Sequence, residues 1–170
     1  SIPLKHIVTA AHYNGKIPRN PFAMYHVDPD HKEREFLTLD ELTAMTEIKL
    51  EDPNMAFARD LFIFGSWTGI AFIDIKNLTE DNISMINGAP WIVSKRQKTG
   101  VPFQIKLMDI PMQIIGRYKA FRKGSHLFNI GNLDSINKRI KKVAAMCGIK
   151  KRVSFHVSRH SWAVLALEYG

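Results

Sequence analysis

Apolar residues recur at helical spacing over most of this chain. The most apolar segment starts at Asp52-Pro53 and runs through Leu61 and Phe64 to Gly69. A proline in the first helical turn and a glycine directly after the last turn are typical helix limits. Because the segment is apolar on nearly every side, it is predicted to be a central helix buried in the core.

Five other segments also show a helical pattern of apolar residues. Several begin or end at residues that satisfy free backbone groups, such as the capping box Thr38-Leu39-Asp40-Glu41. The predicted helices are, in chain order, residues 2–14, a short helix opened by that capping box, a helix from Asp109 to about Arg122, a helix from Leu133 to Cys147 that stops at Gly148, and a last helix capped by Ser154.

Residues 82–107 have the composition of strands instead. Three β-rich pieces, 82–86, 90–96 and 101–107, are separated by the turn signals Asn87-Gly88 and Lys98-Thr99-Gly100. They are predicted to pair as a three-stranded antiparallel sheet. The fold class is therefore mixed, mainly α with a small three-stranded antiparallel β-sheet.

The first residues look like a separate region. The helix predicted over residues 2–14 has half a face of apolar side chains with no evident partner, and the prolines between residues 17 and 34 are typical of a linker. We therefore expect residues 1–33 to be the tail of a preceding domain plus a linker, and residues 34–170 to be one domain with its own core.

The charge is unevenly distributed. The net charge is +8, although residues 28–52 are rich in acids. The basic excess lies in two clusters, which are Lys95, Arg96 and Lys98, and Lys138, Arg139, Lys141, Lys142, Lys150, Lys151 and Arg152. Lysine runs are often solvated helix faces, but two clusters in one small domain favour a nucleic acid partner.

Other classes of protein are disfavoured by what the sequence lacks. Apolar runs stay well short of the ~20 residues of a membrane span, and no signal-peptide pattern opens the chain. Cys147 is the single cysteine, so it forms no internal disulfide and belongs to no cysteine pair for zinc. We expect a globular protein in a reducing, intracellular setting.

The stretch His156-Val157-Ser158-Arg159-His160 carries the strongest chemical signal. At ~100° per residue, His156, Arg159 and His160 share one helix face. Arginine binds phosphate oxygens in pairs, and histidine exchanges protons near neutral pH. The pattern favours phosphate binding, with a solvated helix face and one hydrogen-bonded histidine as the alternative.

Three motifs in this order resemble the catalytic domain of the tyrosine recombinase (phage integrase) superfamily, most closely the integrases of conjugative transposons. Residues 68–78 resemble the first box of that family, Arg96-Gln97-Lys98-Thr99-Gly100 its β-hairpin lysine, and His156–His160 its second box. The resemblance covers roughly residues 34–170. It implies that residues 1–33 end the DNA core-binding domain that precedes such a catalytic domain.

The resemblance implies site-specific DNA recombination. A tyrosine hydroxyl attacks a DNA phosphodiester and forms a 3′-phosphotyrosyl bond, without metal or nucleotide cofactor. Of the residues that match the motifs, Arg159 would hold the phosphate, Lys98 would be the acid for the leaving 5′-oxygen, and His156 would bind phosphate and transfer protons. The expected partner is double-stranded DNA, with no membrane association, in a homo-tetramer assembled on DNA in a bacterial-type cytoplasm. The remaining basic residues expected to contact DNA are Lys95, Arg96, Lys138 and Lys142.

This chain departs from the family pattern in two places. Ala71 stands where most relatives carry an arginine, and the third box with the nucleophilic tyrosine is expected beyond Gly170. Tyr169 falls in the same predicted helix as Arg159, so it does not match the nucleophile. We therefore expect a catalytic domain that ends before its nucleophile and is inactive alone.

Arg96 is the candidate for replacing the arginine missing at position 71. It would project beside Lys98 if the strand persists to Lys98, because strand residues two apart share a side. The alternative is that Arg96 is solvated or contacts a neighbouring phosphate.

Two other functions are open at this point. One is a degenerate integrase relative that binds DNA without cleaving it, which both departures favour. The other is a metal-dependent phosphodiesterase that uses His156 and His160, because histidines four apart on a helix can share a metal ion.

Overall fold

The computed structural model describes residues 2–24 and 35–169, and the chain divides into two compact units, Ser1–Glu33 and Arg34–Gly170. In the first unit, helix α1 (Ile2–Tyr13) ends in a turn at Asn14-Gly15, as predicted. Leu4 and Ile7 are largely exposed on α1. Residues 25–34 of the predicted linker lie outside the described residues.

The second unit is mainly helical, which confirms the predicted fold class. Its longer helices are α2 (Leu39–Glu47), α3 (Pro53–Thr68), α5 (Asp109–Tyr118), α6 (Leu133–Met146) and α7 (Phe155–Tyr169), with a short α4 (Phe72–Lys76) and two 3-10 turns (Glu80–Asn82 and Lys119–Phe121). The capping box that opens α2 is present, since the side chains of Thr38 and Glu41 accept each other's backbone N–H groups.

Helix α3 is the centre of this unit, as its apolar pattern predicts. Asp52 caps its start by accepting from Asn54 N at 2.8 Å, and Gly69 ends it with a φ of +65°. Leu61 and Phe62 are completely buried, and α2, α5, α6 and α7 all pack against the helix. The remaining elements are therefore positioned relative to α3.

Two charged residues lie inside α3, and the apolar pattern gives no sign of their partners. The buried Arg59 donates to three carbonyls at the end of α2 and to Asp60 Oδ1 at 2.5 Å. Asp60 also accepts from Arg117 at 2.5 Å and from the Tyr118 hydroxyl at 2.8 Å. These bonds join α2, α3 and α5 while satisfying a buried carboxylate.

The three strands are β1 (Ile83–Ile86), β2 (Ala89–Lys95) and β3 (Pro102–Lys106), paired antiparallel in the order β1-β2-β3. Ile92 of β2 is buried opposite Ile83 and Ile105. The sheet confirms the prediction, but the predicted strands are one residue too long at several ends. Asn82, for example, is used as a cap, since its side chain accepts from Thr79 N at 2.9 Å.

Helix α5 is shorter than predicted. It ends at Tyr118, and the side chain of Arg122 instead donates to the carbonyls of Ile115 and Leu127. This guanidinium closes the end of the helix and holds the following segment against it.

Candidate phosphate-binding site

Helix α7 is held at its first residue by α6. Ser154 precedes the helix, as predicted, and its carbonyl accepts from Val157 N at 2.9 Å. The backbone N–H of Phe155 donates to Asn137 Oδ1 of α6 at 2.7 Å. The Asn137 contact fixes the start of α7. No local pattern indicates this contact, because the two residues lie 18 positions apart.

The two faces of α7 differ sharply. Phe155, Val157, Ser158 and Ser161 are buried, and Ser161 Oγ accepts from Leu37 N at 2.8 Å. On the other face, His156 is exposed, while Arg159 and His160 are half-buried. The two imidazole rings meet edge to face, with 4.6 Å between their centroids. The buried serines therefore fix the helix rotation that turns His156 and Arg159 outward.

Gly65 of α3 and Gly69, directly after α3, let α7 approach this helix closely. A Cβ at Gly65 would lie 2.7 Å from Ser158 Oγ, and one at Gly69 would lie 2.6 Å from the Trp162 indole. Contacts this short are not compatible with a side chain at either position unless α7 or its side chains shift. The position of α7 thus depends on both glycines.

Lys98 lies in the turn between β2 and β3. Strand β2 ends at Lys95, and the turn is closed by hydrogen bonds from Arg96 N to Val101 O (2.9 Å) and from Gly100 N to Arg96 O (2.8 Å). The strand does not persist to Lys98, so the expectation that Arg96 and Lys98 project together by strand alternation is wrong. Lys98 is exposed, whereas Arg96 is half-buried with its guanidinium 5.8 Å from the Phe103 ring centroid.

Asp74 of α4 connects the turn to this region, and sequence reasoning missed it. It is buried, and its Oδ1 accepts from Gln97 N at 2.8 Å. Ala71 lies just before α4, at the N-cap position. The available signal was one acid three residues after Ala71 in an otherwise apolar segment, which does not reveal a backbone partner.

The charges of Arg96 and Asp74 both act on Arg159. Burial lowers the pKa of Arg159, the positive charge of Arg96 lowers this pKa further, and the negative charge of Asp74 opposes both effects. Two guanidiniums that repel each other at one site are stabilised when an anion lies between them. The local charge therefore fits a phosphate group.

The other basic candidates lie on exposed surface. Lys95 is the last residue of β2, and Lys138 and Lys142 lie one turn apart on α6. Lys138 directly follows Asn137, which caps α7, so the basic face of α6 begins beside the start of α7. A duplex phosphate backbone is long enough to contact several such groups.

Within residues 2–24 and 35–169, no group of three or more His, Cys, Asp or Glu side chains is arranged to hold a metal ion. The same part of the chain contains no helix that is long and apolar enough to cross a membrane.

Comparison with solved structures identifies the fold. The structure of the Tn1549 transposon integrase with circular intermediate DNA matches with a TM-score of 0.71 at 18% identity, over 98% of this chain and 64% of that one. A lambda integrase dimer bound to a COC′ core site matches with a TM-score of 0.70 at 18% identity, over 95% and 63%. The XerH site-specific recombinase bound to difH substrate matches with a TM-score of 0.64 at 17% identity, over 78% and 42%.

These matches show that the chain has the fold of tyrosine recombinases, as the resemblance implies. The chain spans less than two thirds of the length of each of these three structures. No protein-family model matches the chain, and no curated protein matches it.

Proposed function

We propose that the chain is part of a site-specific DNA recombinase that integrates or excises a mobile element by cleaving and rejoining duplex DNA through a 3′-phosphotyrosyl intermediate. The observation that carries this proposal is the outward face of α7, which presents His156 and Arg159, and the positive charge of Arg96 in the β2–β3 turn also acts on Arg159. The shared fold with DNA-bound recombinases supports the same function.

Each residue type has a role in that reaction. Arg159 binds the non-bridging oxygens of the scissile phosphate and stabilises the charge that develops there. His156 binds the same phosphate and transfers protons. As the tyrosine oxygen bonds to phosphorus, the bond from phosphorus to the 5′-oxygen breaks, and Lys98 donates a proton to the leaving oxygen. The reaction uses no metal or nucleotide cofactor.

Arg96 supplies the second guanidinium, which most relatives supply from an arginine at the position of Ala71. The support for this role is electrostatic, because the positive charge of Arg96 helps to lower the pKa of Arg159. In a polypeptide that contains these residues and the nucleophile, Arg96→Ala should strongly reduce cleavage, and Ala71→Arg should restore cleavage in the double variant. Near-normal cleavage by Arg96→Ala would show that Arg96 is solvated or contacts a neighbouring phosphate instead.

The nucleophile is not among the tyrosines whose positions the structure describes. Tyr118 donates its hydroxyl to Asp60, and burial raises its pKa, which disfavours the phenolate. Tyr169 lies at the end of α7, the helix that carries Arg159, and Tyr13 lies on α1. The reaction therefore needs a tyrosine other than Tyr13, Tyr118 and Tyr169.

A nicked suicide DNA substrate tests the whole proposal. The 170-residue chain should give no covalent adduct on denaturing electrophoresis, whereas a longer polypeptide with the nucleophile should give one. In the longer polypeptide, Arg159→Ala or Lys98→Ala should slow adduct formation by a factor of about 100 to 1,000, since each removes one preorganised donor. Lys106→Ala, which removes an exposed lysine of β3, is the matched control and should cleave normally.

A relative that binds DNA without cleaving it is the second candidate, and the alanine at position 71 favours it. The two functions separate in the same assay. Specific DNA binding by the longer polypeptide with no adduct, even after Ala71→Arg, would support binding alone. An adduct mapped to Tyr169 would refute our assignment of the nucleophile.

Several further features belong to this proposal. Lys95, Arg96, Lys138 and Lys142 contact DNA phosphates around the cleavage site, and the active assembly is a homo-tetramer on DNA. Residues 1–33 are the end of a DNA core-binding domain, and the setting is the cytoplasm of a bacterial-type cell. Sedimentation of the longer polypeptide with and without a paired DNA site tests the tetramer.

A further inference from the structure

The β2–β3 turn, residues 96–101, holds Lys98 on a small exposed loop. Its own hydrogen bonds join Arg96 to Val101 and Gly100 to Arg96, so they fix the shape of the turn. They do not fix where the turn points relative to α7, because all of these residues belong to the turn itself. The orientation of Lys98 must come from contacts with another element.

Helix α4 makes those contacts through one residue of the turn, Gln97. The backbone N–H of Gln97 donates to Asp74 Oδ1 at 2.8 Å, and Asn77 Nδ2 donates to Gln97 Oε1 at 3.2 Å. Asp74 lies in α4 and Asn77 is the residue at its C-terminal cap, three positions later, so the two side chains lie on the same side of this helix end. Gln97 is therefore held from its main chain and from its side chain by the same helix end.

The same helix is also coupled to α7. Burial and the positive charge of Arg96 lower the pKa of Arg159, and the negative charge of Asp74 acts against both effects. Asp74 is buried, with 7% of its surface exposed, whereas Asn77 and Gln97 are exposed. The buried bond and the exposed bond therefore hold the turn against α4 together, so the loss of either one weakens the docking.

We propose that Asn77 is a positioning residue for Lys98, acting through the side chain of Gln97. This inference rests on the function proposed above and deepens it. With the bond between Asn77 and Gln97 formed, the turn is docked and Lys98 reaches the leaving 5′-oxygen. Without this bond the turn still closes on itself, but it spends less time docked. A single net hydrogen bond of this kind changes such a population by roughly two- to tenfold.

Amide exchange on the 170-residue chain tests the docking itself. Asn77→Ala should speed the exchange of the Gln97 N–H by roughly two- to tenfold. Asn77→Asp should restore slow exchange, because the Gln97 amide can turn and donate to the new carboxylate. Ile73→Ala, on the same short helix and exposed, is the control for a general weakening of α4. An unchanged exchange rate of the Gln97 N–H in Asn77→Ala would overturn the proposal, whatever the cleavage assays show.

Cleavage by the longer polypeptide tests the link to Lys98. Asn77→Ala should slow single-turnover cleavage by roughly two- to tenfold while leaving DNA binding unchanged. The defect should vanish on DNA with sulfur in place of the bridging 5′-oxygen, since a thiolate leaves without an acid. In a Lys98→Ala background, Asn77→Ala should cause no further loss.

The outcomes distinguish a failure of the positioning role of Asn77 from a failure of the acid role of Lys98. An equal loss on oxygen and sulfur substrates, or a loss that adds to that of Lys98→Ala, would reject Asn77 as a positioning residue and leave the proposed function intact. Normal cleavage of ordinary DNA by Lys98→Ala would reject the acid role of Lys98, and the inference about Asn77 with it.

Discussion

Replacing Gly69 by alanine should destabilise the second unit through two separable effects. Gly69 ends α3 with a φ of +65°, where an L side chain costs about 1–2 kcal/mol. The new Cβ would also lie 2.6 Å from two atoms of the Trp162 indole, an overpacking that costs about 1–3 kcal/mol. Together the two effects predict a loss of about 2–5 kcal/mol in the free energy of unfolding.

A double-mutant cycle measured by urea denaturation separates the two effects. In a Trp162→Ala background the steric contact is gone, so Gly69→Ala should cost only the strain of about 1–2 kcal/mol. Gly116→Ala is the matched control, because Gly116 lies in α5 with open space around its Cβ position and should gain about 0.5–1 kcal/mol. An equal cost of Gly69→Ala in both backgrounds would refute the close approach of α7 to α3.

Three further predictions concern DNA binding, acid sensitivity and the buried carboxylate. Binding of the 170-residue chain to duplex DNA should be weak and salt-dependent, with log K falling against log[salt] at a slope of roughly −4 to −5 if about five phosphates are contacted; an affinity that is flat in salt would contradict phosphate contacts. Burial opposes ionisation of Glu41, but hydrogen bonds from Lys151 and Thr38 outweigh it and lower its pKa. Glu41→Gln should therefore lower the free energy of unfolding by roughly 0.5–1 kcal/mol at neutral pH. The difference in stability from the parent should shrink as the pH falls below 4.5, because Glu41 of the folded parent is then protonated as the pH passes through its lowered pKa. Urea denaturation at several pH values measures both effects. Tyr118→Phe should cost about 1 kcal/mol by removing one donor to Asp60, and an unchanged urea midpoint would refute that bond.

Sequence reasoning succeeded where the controlling chemistry is local. The limits of α2 and α3 follow from Thr38, Asp52 and Gly69, which act on backbone groups within four residues of themselves. The same applies to the turn at Asn87-Gly88, where both residues have positive φ. Helix ends and tight turns are therefore readable from a few adjacent residues.

Sequence reasoning failed where a contact joins distant parts of the chain. Arg59 and Asp60 are adjacent in sequence, but Arg117 and Tyr118 reach Asp60 from 57 and 58 positions away. The end of β2 at Lys95 was also missed, because β-propensity does not determine at which residue a hairpin turn begins. At the candidate site, His156 and Arg159 were visible through helical periodicity, whereas the pairing of Asp74 with Gln97 was not.

The bond from Asp74 to Gln97 has a consequence for how this region can vary between related proteins. Its donor belongs to the main chain, and every residue except proline presents such a donor. Most substitutions at position 97 would therefore keep this bond, whereas position 74 must keep a side chain of suitable length with a hydrogen-bond acceptor. The two positions would show almost no covariation among related sequences. A comparison of sequences alone would therefore overlook the contact that joins α4 to the turn.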